Sequence, residues 1–223
     1  MNKKTLMALV LAGTFGSAQA AVLLNEGFEN VAGLAGSGWV FNNASSSPLN
    51  TWMQGISTPV LSAQAGTIDS FAVANFTSNK TTGVISNWLM TPTFALDNSG
   101  SVSFYARTDE LLGLFVDQLE VRLSTSGVST TLSDFSTSLL SINGDGAVDG
   151  IPDSWTKYSV NFASFGAGSS GRLAFVYKGS YDDSNMVALD TVNISAVPEP
   201  ASYALMGLGL GLLGLGLKRR RAV

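Results

Sequence analysis

The chain contains no cysteine and no histidine. Without cysteine no disulfide can staple it, so packing or a bound cation must hold whatever fold it adopts. Without histidine, Ser-His-Asp and Cys-His nucleophiles and every zinc site built on imidazole are excluded. Carboxylate chemistry stays open. Charge is also scarce, at 13% of residues, and it is unevenly spread. Between Ala21 and Val197 stand six basic residues (Lys80, Arg107, Arg122, Lys157, Arg172 and Lys178) against fifteen acidic ones. Six minus fifteen is −9, a balance that the basic ends dilute to −4 over the whole chain. An acidic stretch without a basic stripe argues against a nucleic-acid surface and suits a cation binder.

The two ends differ from the body. Lys3 and Lys4 precede the apolar run Leu6–Phe15 and then Ala18-Gln19-Ala20. Residues 1–20 therefore read as a secretory signal peptide with a small-x-small cleavage site, and the mature chain starts at Ala21. At the other end, the 17 residues from Ala201 to Leu217 carry no charge, and Lys218, Arg219, Arg220 and Arg221 follow at once. As a helix this run spans roughly 25 Å, just under the ~30 Å core of a bilayer. An isolated strand would leave its backbone unsatisfied in lipid, so a single transmembrane helix is predicted over the bland alternative of a buried soluble helix. Gly207 and Gly211 form a G-x-x-x-G on it. The basic cluster is predicted to stay cytoplasmic, which places the body of the chain outside the inner membrane.

Val197-Pro198-Glu199-Pro200, an uncharged helix and a terminal basic cluster, in that order, resemble a PEP-CTERM sorting signal over 198–223. Such signals occur in Gram-negative bacteria that produce exopolysaccharide. The resemblance implies that an exosortase-type membrane peptidase removes the tail and that the protein ends at the cell surface or in the extracellular matrix. Pro198, Glu199, Pro200 and the Lys218–Arg221 cluster would then be sorting residues, not catalytic ones. The two prolines keep the peptide extended and out of the following helix, which suits a protease recognition strand.

Residues 21–197 are one domain's worth of chain, enough to bury a core. They show no sustained helical periodicity. Short runs of β-branched and aromatic residues recur between polar clusters: Ser70–Phe76, Ser101–Arg107, Phe115–Ser124, Lys157–Phe162, Arg172–Tyr177 and Val187–Ile194. Several alternate, as in Val102, Phe104 and Ala106 against Ser101, Ser103 and Tyr105. Many short strands with polar turns predict an all-β antiparallel sandwich. Asn42–Ser47 and Gly144–Gly150 read as surface loops, and Arg107-Thr108-Asp109-Glu110 as an exposed turn after a strand.

Five short motifs then fall in order: Asn25–Glu29 (NEGFE), Ser86–Pro92 (SNWLMTP), Ile151–Tyr158 (IPDSWTKY), Arg172–Tyr177 (RLAFVY) and Ala188–Val192 (ALDTV). Together they resemble a choice-of-anchor J domain, related to the cleaved-adhesin group of jelly-roll β-sandwiches. That resemblance implies a binding or adhesion module, not an enzyme. It also implies that the first and last strands run near each other, with a structural calcium beside them.

The metal candidates are Glu26, Glu29 and Asp190, since Ca²⁺ takes six to eight oxygen ligands and a cysteine-free exported domain would gain from such a clamp. Thr191 stands where related sequences often have a second acid. The bland alternative makes these carboxylates strand-edge charges or turn acceptors. Asn143–Asp149 has the alternating oxygens of an EF-hand loop, but its twelfth position is Pro152, so a plain turn is the better reading. Gly166–Gly171 satisfies G-x-G-x-x-G, but a strand follows where a dinucleotide site needs a helix. Asp182 and Asp183, with Tyr181 and Asn185, form a polar loop able to bind carbohydrate, unless it is a solvated turn. Trp39 and Trp52 flank a polar loop and are the aromatic candidates for stacking on sugars; Trp88 and Trp155 belong to the core. The predicted function is an exported, non-catalytic jelly-roll module contacting exopolysaccharide. The alternatives are a structural matrix protein that binds other proteins, or a carboxylate-dependent glycoside hydrolase, for which no motif identifies an acid pair.

Overall fold

Period-two alternation turns into sheet wherever one face can be buried. In the computed structural model, which describes residues 20–109, 115–197 and 209, twelve strands result. The first six are β1 (Ala21–Glu26), β2 (Val40–Asn43), β3 (Met53–Gln54), β4 (Ala72–Asn75), β5 (Val84–Met90) and β6 (Phe94–Ala95). The others are β7 (Gly100–Arg107), β8 (Gln118–Ser124), β9 (Thr137–Ile142), β10 (Thr156–Phe162), β11 (Ser170–Ser180) and β12 (Met186–Ala196). Three short 3-10 turns complete the described structure. One sheet runs β10-β7-β12-β4-β3, with β1 also on β12; the other runs β2-β5-β11-β8-β9, with β6 on β11. Every pairing is antiparallel, and Ala20–Val197 forms a compact unit.

The main core lies between the sheets. In β7, Val102, Phe104 and Ala106 are buried while Ser101, Ser103 and Tyr105 are half-buried on the opposite face. Phe104 meets Phe175 of β11 edge-on, with ring centroids 5.1 Å apart. Two smaller clusters sit apart from this core. Phe71 and Leu61 pack with Val73, Met186 and Ala188, and Phe135 covers Trp88, Met90, Ala174 and Val176. Parts of β4, β5, β11 and β12 are thus covered on both faces, which is why they read as apolar runs without alternation.

Several expectations change. Trp39 and Trp52 are each only 2% exposed, so neither ring can stack on a sugar. Trp39 packs edge-on against Phe28, and Trp52 donates its indole N–H to the Asn87 carbonyl at 3.1 Å. Both are core residues because the indole N–H or the ring edge finds a partner inside. Trp88, by contrast, is buried as expected. Asn42 and Asn43 end β2 and are not loop residues, and Arg107 is buried against the Trp155 ring where an exposed turn was expected. The expected signal peptide and transmembrane helix lie outside the described residues, apart from Ala20 and Gly209. Among the described residues no helix is long and apolar enough to cross a membrane.

Candidate functional site

Two places on the sandwich concentrate polar groups. The first arises from an interruption in β12. Residues Met186–Leu189 pair with β4 and Val192–Ala196 with β1 on the same edge, and the register with β7 slips between Asp190 and Asn193. Thr191 sits in this bulge with φ of +50°. Bulges break pairing and redirect side chains, and a positive φ costs a β-branched residue strain energy. The gap opens a polar cavity of about 330 Å³ lined by Glu26, Glu29, Gly66 and Thr191, among others. β1 delivers Glu26, whose Oε1 accepts from the Phe28 N–H at 2.8 Å, with Phe28 itself left-handed at φ +56°. Glu29 folds back over Gly27, where an added Cβ would come within 2.6 Å of its Oε1. Burial raises the pKa of Glu26 above its ordinary value, and the neighbouring Glu29 charge adds to the rise.

Asp190 is brought to this region but is committed elsewhere. Its Oδ2 accepts from the backbone N–H groups of Gln64 and Ala65 at 2.8 and 3.1 Å. Its Oδ1 accepts from the Thr191 N–H at 2.5 Å and the Thr191 hydroxyl at 3.2 Å. Burial pushes its carboxyl above the ordinary value even so. Asp190 thus pins the 64–65 loop to the sheet and does not line the cavity. Among the described residues no group of three or more acidic side chains is arranged to hold a metal. Glu26 and Glu29 offer the oxygen chemistry that a hard cation takes, and Asp190 as it stands does not join them.

The second place lies at one end of the sandwich, where β5 and β8 flank β11. An open cleft of about 290 Å³ is lined by Val84, Val116, Gln118, Lys178, Ser180 and Asp183, with Ile85 and Gly179 beneath. Asp183 belongs to the polar loop predicted as a ligand site. Asp182 is exposed nearby and accepts from the Thr82 hydroxyl at 3.3 Å. Lys178 donates to Glu120 at 2.8 Å, and Arg122 binds the other oxygen of the same carboxylate at 2.6 Å. Next to the cleft a buried polar cluster locks the turn. Asp117 accepts from the Tyr177 hydroxyl at 2.7 Å and from the Asn185 N–H at 3.0 Å, while Asn185 donates to Asp109 at 2.5 Å. Burial pushes Asp117 up to about 6, against the hydrogen bonds that favour its charged form. It drives the Tyr177 phenol far upward, helped by the Asp117 charge.

Sequence reasoning found Asp183 and missed Val84, Gln118 and Asp117. Their only signal is the order β5-β11-β8, which no local pattern announces. The loop at Asn143–Asp149 is a turn, as expected, tied by Asn143 to Ala147 in both directions.

The pattern described as the PEP-CTERM protein-sorting motif matches residues 196–221. The chain carries an exosortase-type sorting signal. This PEP-CTERM motif indicates an exported protein, anchored transiently in a membrane before cleavage. No curated protein matches the chain. Among solved structures, the sandwich is similar to the K3 cleaved adhesin domain of Lys-gingipain from Porphyromonas gingivalis, at TM-score 0.57 and 21% identity. That match covers 80% of this chain and 100% of the adhesin domain. The K1 cleaved adhesin domain of the same protein matches at TM-score 0.55 and 20% identity, over 78% of this chain and 98% of that one. At these identities the PEP-CTERM chain shares a fold with the adhesin domains.

Proposed function

We propose that this PEP-CTERM chain is a surface or extracellular-matrix protein of a Gram-negative bacterium. An exosortase-type peptidase processes it near Pro198-Glu199-Pro200, and its jelly-roll sandwich, of the choice-of-anchor J kind, is a non-catalytic module that binds exopolysaccharide. The sorting motif at 196–221 carries this reading, because it commits the sandwich to an exported destination. The chemistry of the body agrees with binding over hydrolysis. Among the described residues, the buried carboxylates Asp117 and Asp190 both accept hydrogen bonds from protein donors, and neither lines the two cavities described above. A structural Ca²⁺ belongs to the same proposal, with Glu26 and Glu29 as the side chains that would hold it and the backbone around Gly66 beside them.

The test is retention of the released protein on exopolysaccharide from producing cells, with a parallel sample digested by polysaccharide hydrolases. Retention that disappears with the polysaccharide is the expected result. Retention that survives digestion assigns the module to protein partners and overturns the carbohydrate reading.

A further inference from the structure

The end cleft has a chemistry that the general reading does not use. Val84 is 62% exposed in it. A half-open apolar wall beside unspent polar groups favours a ligand that is itself amphipathic. Gln118 makes no side-chain hydrogen bond to the described residues, which leaves its carboxamide with both donors and an acceptor to offer. Lys178 uses one of three protons on Glu120, and Asp183 accepts from Ser180 at 3.1 Å through only one oxygen. A sugar ring has the matching character, with hydroxyls around its edge and C–H groups on its face.

Charge narrows the ligand. Lys178 and Arg122 both pair with Glu120, while Asp182, Asp183 and Asp117 add negative charge, so the cleft carries no net positive charge within a body of −9. That negative charge repels an anionic chain, whereas a neutral one meets no such repulsion. The walls are already fixed. Val116 donates to the Asp183 carbonyl at 2.7 Å, and Tyr181 donates to the Gly83 carbonyl at 3.0 Å. Ser184 accepts the Ser180 N–H at 3.0 Å through its hydroxyl, which lies 2.0 Å from where a Cβ on Gly179 would sit. A preformed cleft loses little entropy on binding. Tyr181, which follows Ser180 of the cleft, packs edge-on against Phe76 at 5.6 Å between centroids.

Resting on the polysaccharide reading above, we propose that this cleft seats one neutral sugar residue of a polysaccharide chain. Val84 and Val116 would meet the C–H face, while Gln118, Lys178 and Asp183 bind the hydroxyls.

The experiment uses protein purified from cells expressing the full chain. It titrates that protein calorimetrically with tetrasaccharides of glucose, mannose and galactose, and in parallel measures its retention on exopolysaccharide. Two variants accompany it, Val84→Asp, at an exposed position that tolerates the charge, and Gln118→Ala. The expected result is binding of at least one neutral tetrasaccharide, weakened roughly tenfold by each variant, with unchanged melting curves. Equal binding by wild type and both variants overturns the cleft and leaves the polysaccharide reading intact. Retention on exopolysaccharide without binding to any neutral tetrasaccharide overturns the neutral-sugar assignment. Absence of all binding by the wild type overturns both. Self-association abolished by Val84→Asp would make a second copy the occupant and overturn the sugar.

Discussion

Asp117 shows how a single carboxylate can set the pH response of the domain. Only 3% exposed, it is charged at neutral pH at the expense of its hydration. Its value of about 6 in the folded state exceeds the ordinary 3.8. A group raised on folding binds more protons in the folded state between those two values, so stability falls as pH rises through that window. The full difference is about 3 kcal/mol, present below pH 3.8 and lost above pH 6. Burial raises Glu120 too, but hydrogen bonds and charge from Lys178 and Arg122 overcome it and hold the group below its ordinary value. Its contribution has the opposite sign and is lost only at lower pH. We therefore expect a higher melting temperature at pH 5 than at pH 7.5, with the difference reduced in Asp117→Asn. A melting temperature that rises from pH 5 to 7.5 would contradict the assignment.

At the scale of elements, the break in β12 is the feature on which the first polar site depends. Asp190 reaches across 126 residues of sequence to hold the backbone of Gln64 and Ala65. Asp190→Ala would leave those part-buried donors and the Thr191 N–H short of a partner, costing about 1 kcal/mol. It should also speed hydrogen exchange in the 63–70 loop. Because Asp190 does not line the cavity, that cost should persist in the presence of chelator. The calcium proposal makes a separable prediction: EGTA lowers the melting temperature of the wild type, and Glu26→Gln with Glu29→Gln removes the difference. Identical wild-type curves with and without chelator would dispose of the cation.

The same elements show what sequence can and cannot convey. β7 and β10 were legible because one face is wet, so alternation survives along each strand. β3 and β6, two residues each, exist only because β4 and β11 offer partners, and no two-residue pattern can announce that. The approach of Glu26 to the β12 bulge was legible through the resemblance of the terminal strands. The spending of Asp190 on a distant loop was not, since backbone donors leave no mark in a sequence. Trp39 and Trp52 were misassigned for a related reason: indole chemistry suits both a core and a sugar platform, and only burial decides between them.

The whole molecule joins a body of −9 to a tail whose four terminal cations follow an uncharged run. These two parts have opposite preferences at a membrane. In the proposed reading the basic cluster would be held on the cytoplasmic side, while the acidic sandwich gains nothing from an anionic lipid surface and nothing in its charge keeps it there. Release would then depend on cutting the chain between them, and the two prolines around Glu199 disfavour both strand and helix at that point of the sequence. Replacing Pro198, Glu199 and Pro200 together with alanine should leave the protein full-length behind its leader and in the membrane fraction. The wild type should leave that fraction with a mature C-terminus shortened to the Pro-Glu-Pro region, read by mass spectrometry of the intact protein. Substituting glutamine for Lys218–Arg221 tests the anchor separately, because it weakens retention on the cytoplasmic side while keeping the cleavage sequence. If the triple alanine protein is released and shortened like the wild type, the cut does not lie at this motif, and the separation of body from tail must occur elsewhere.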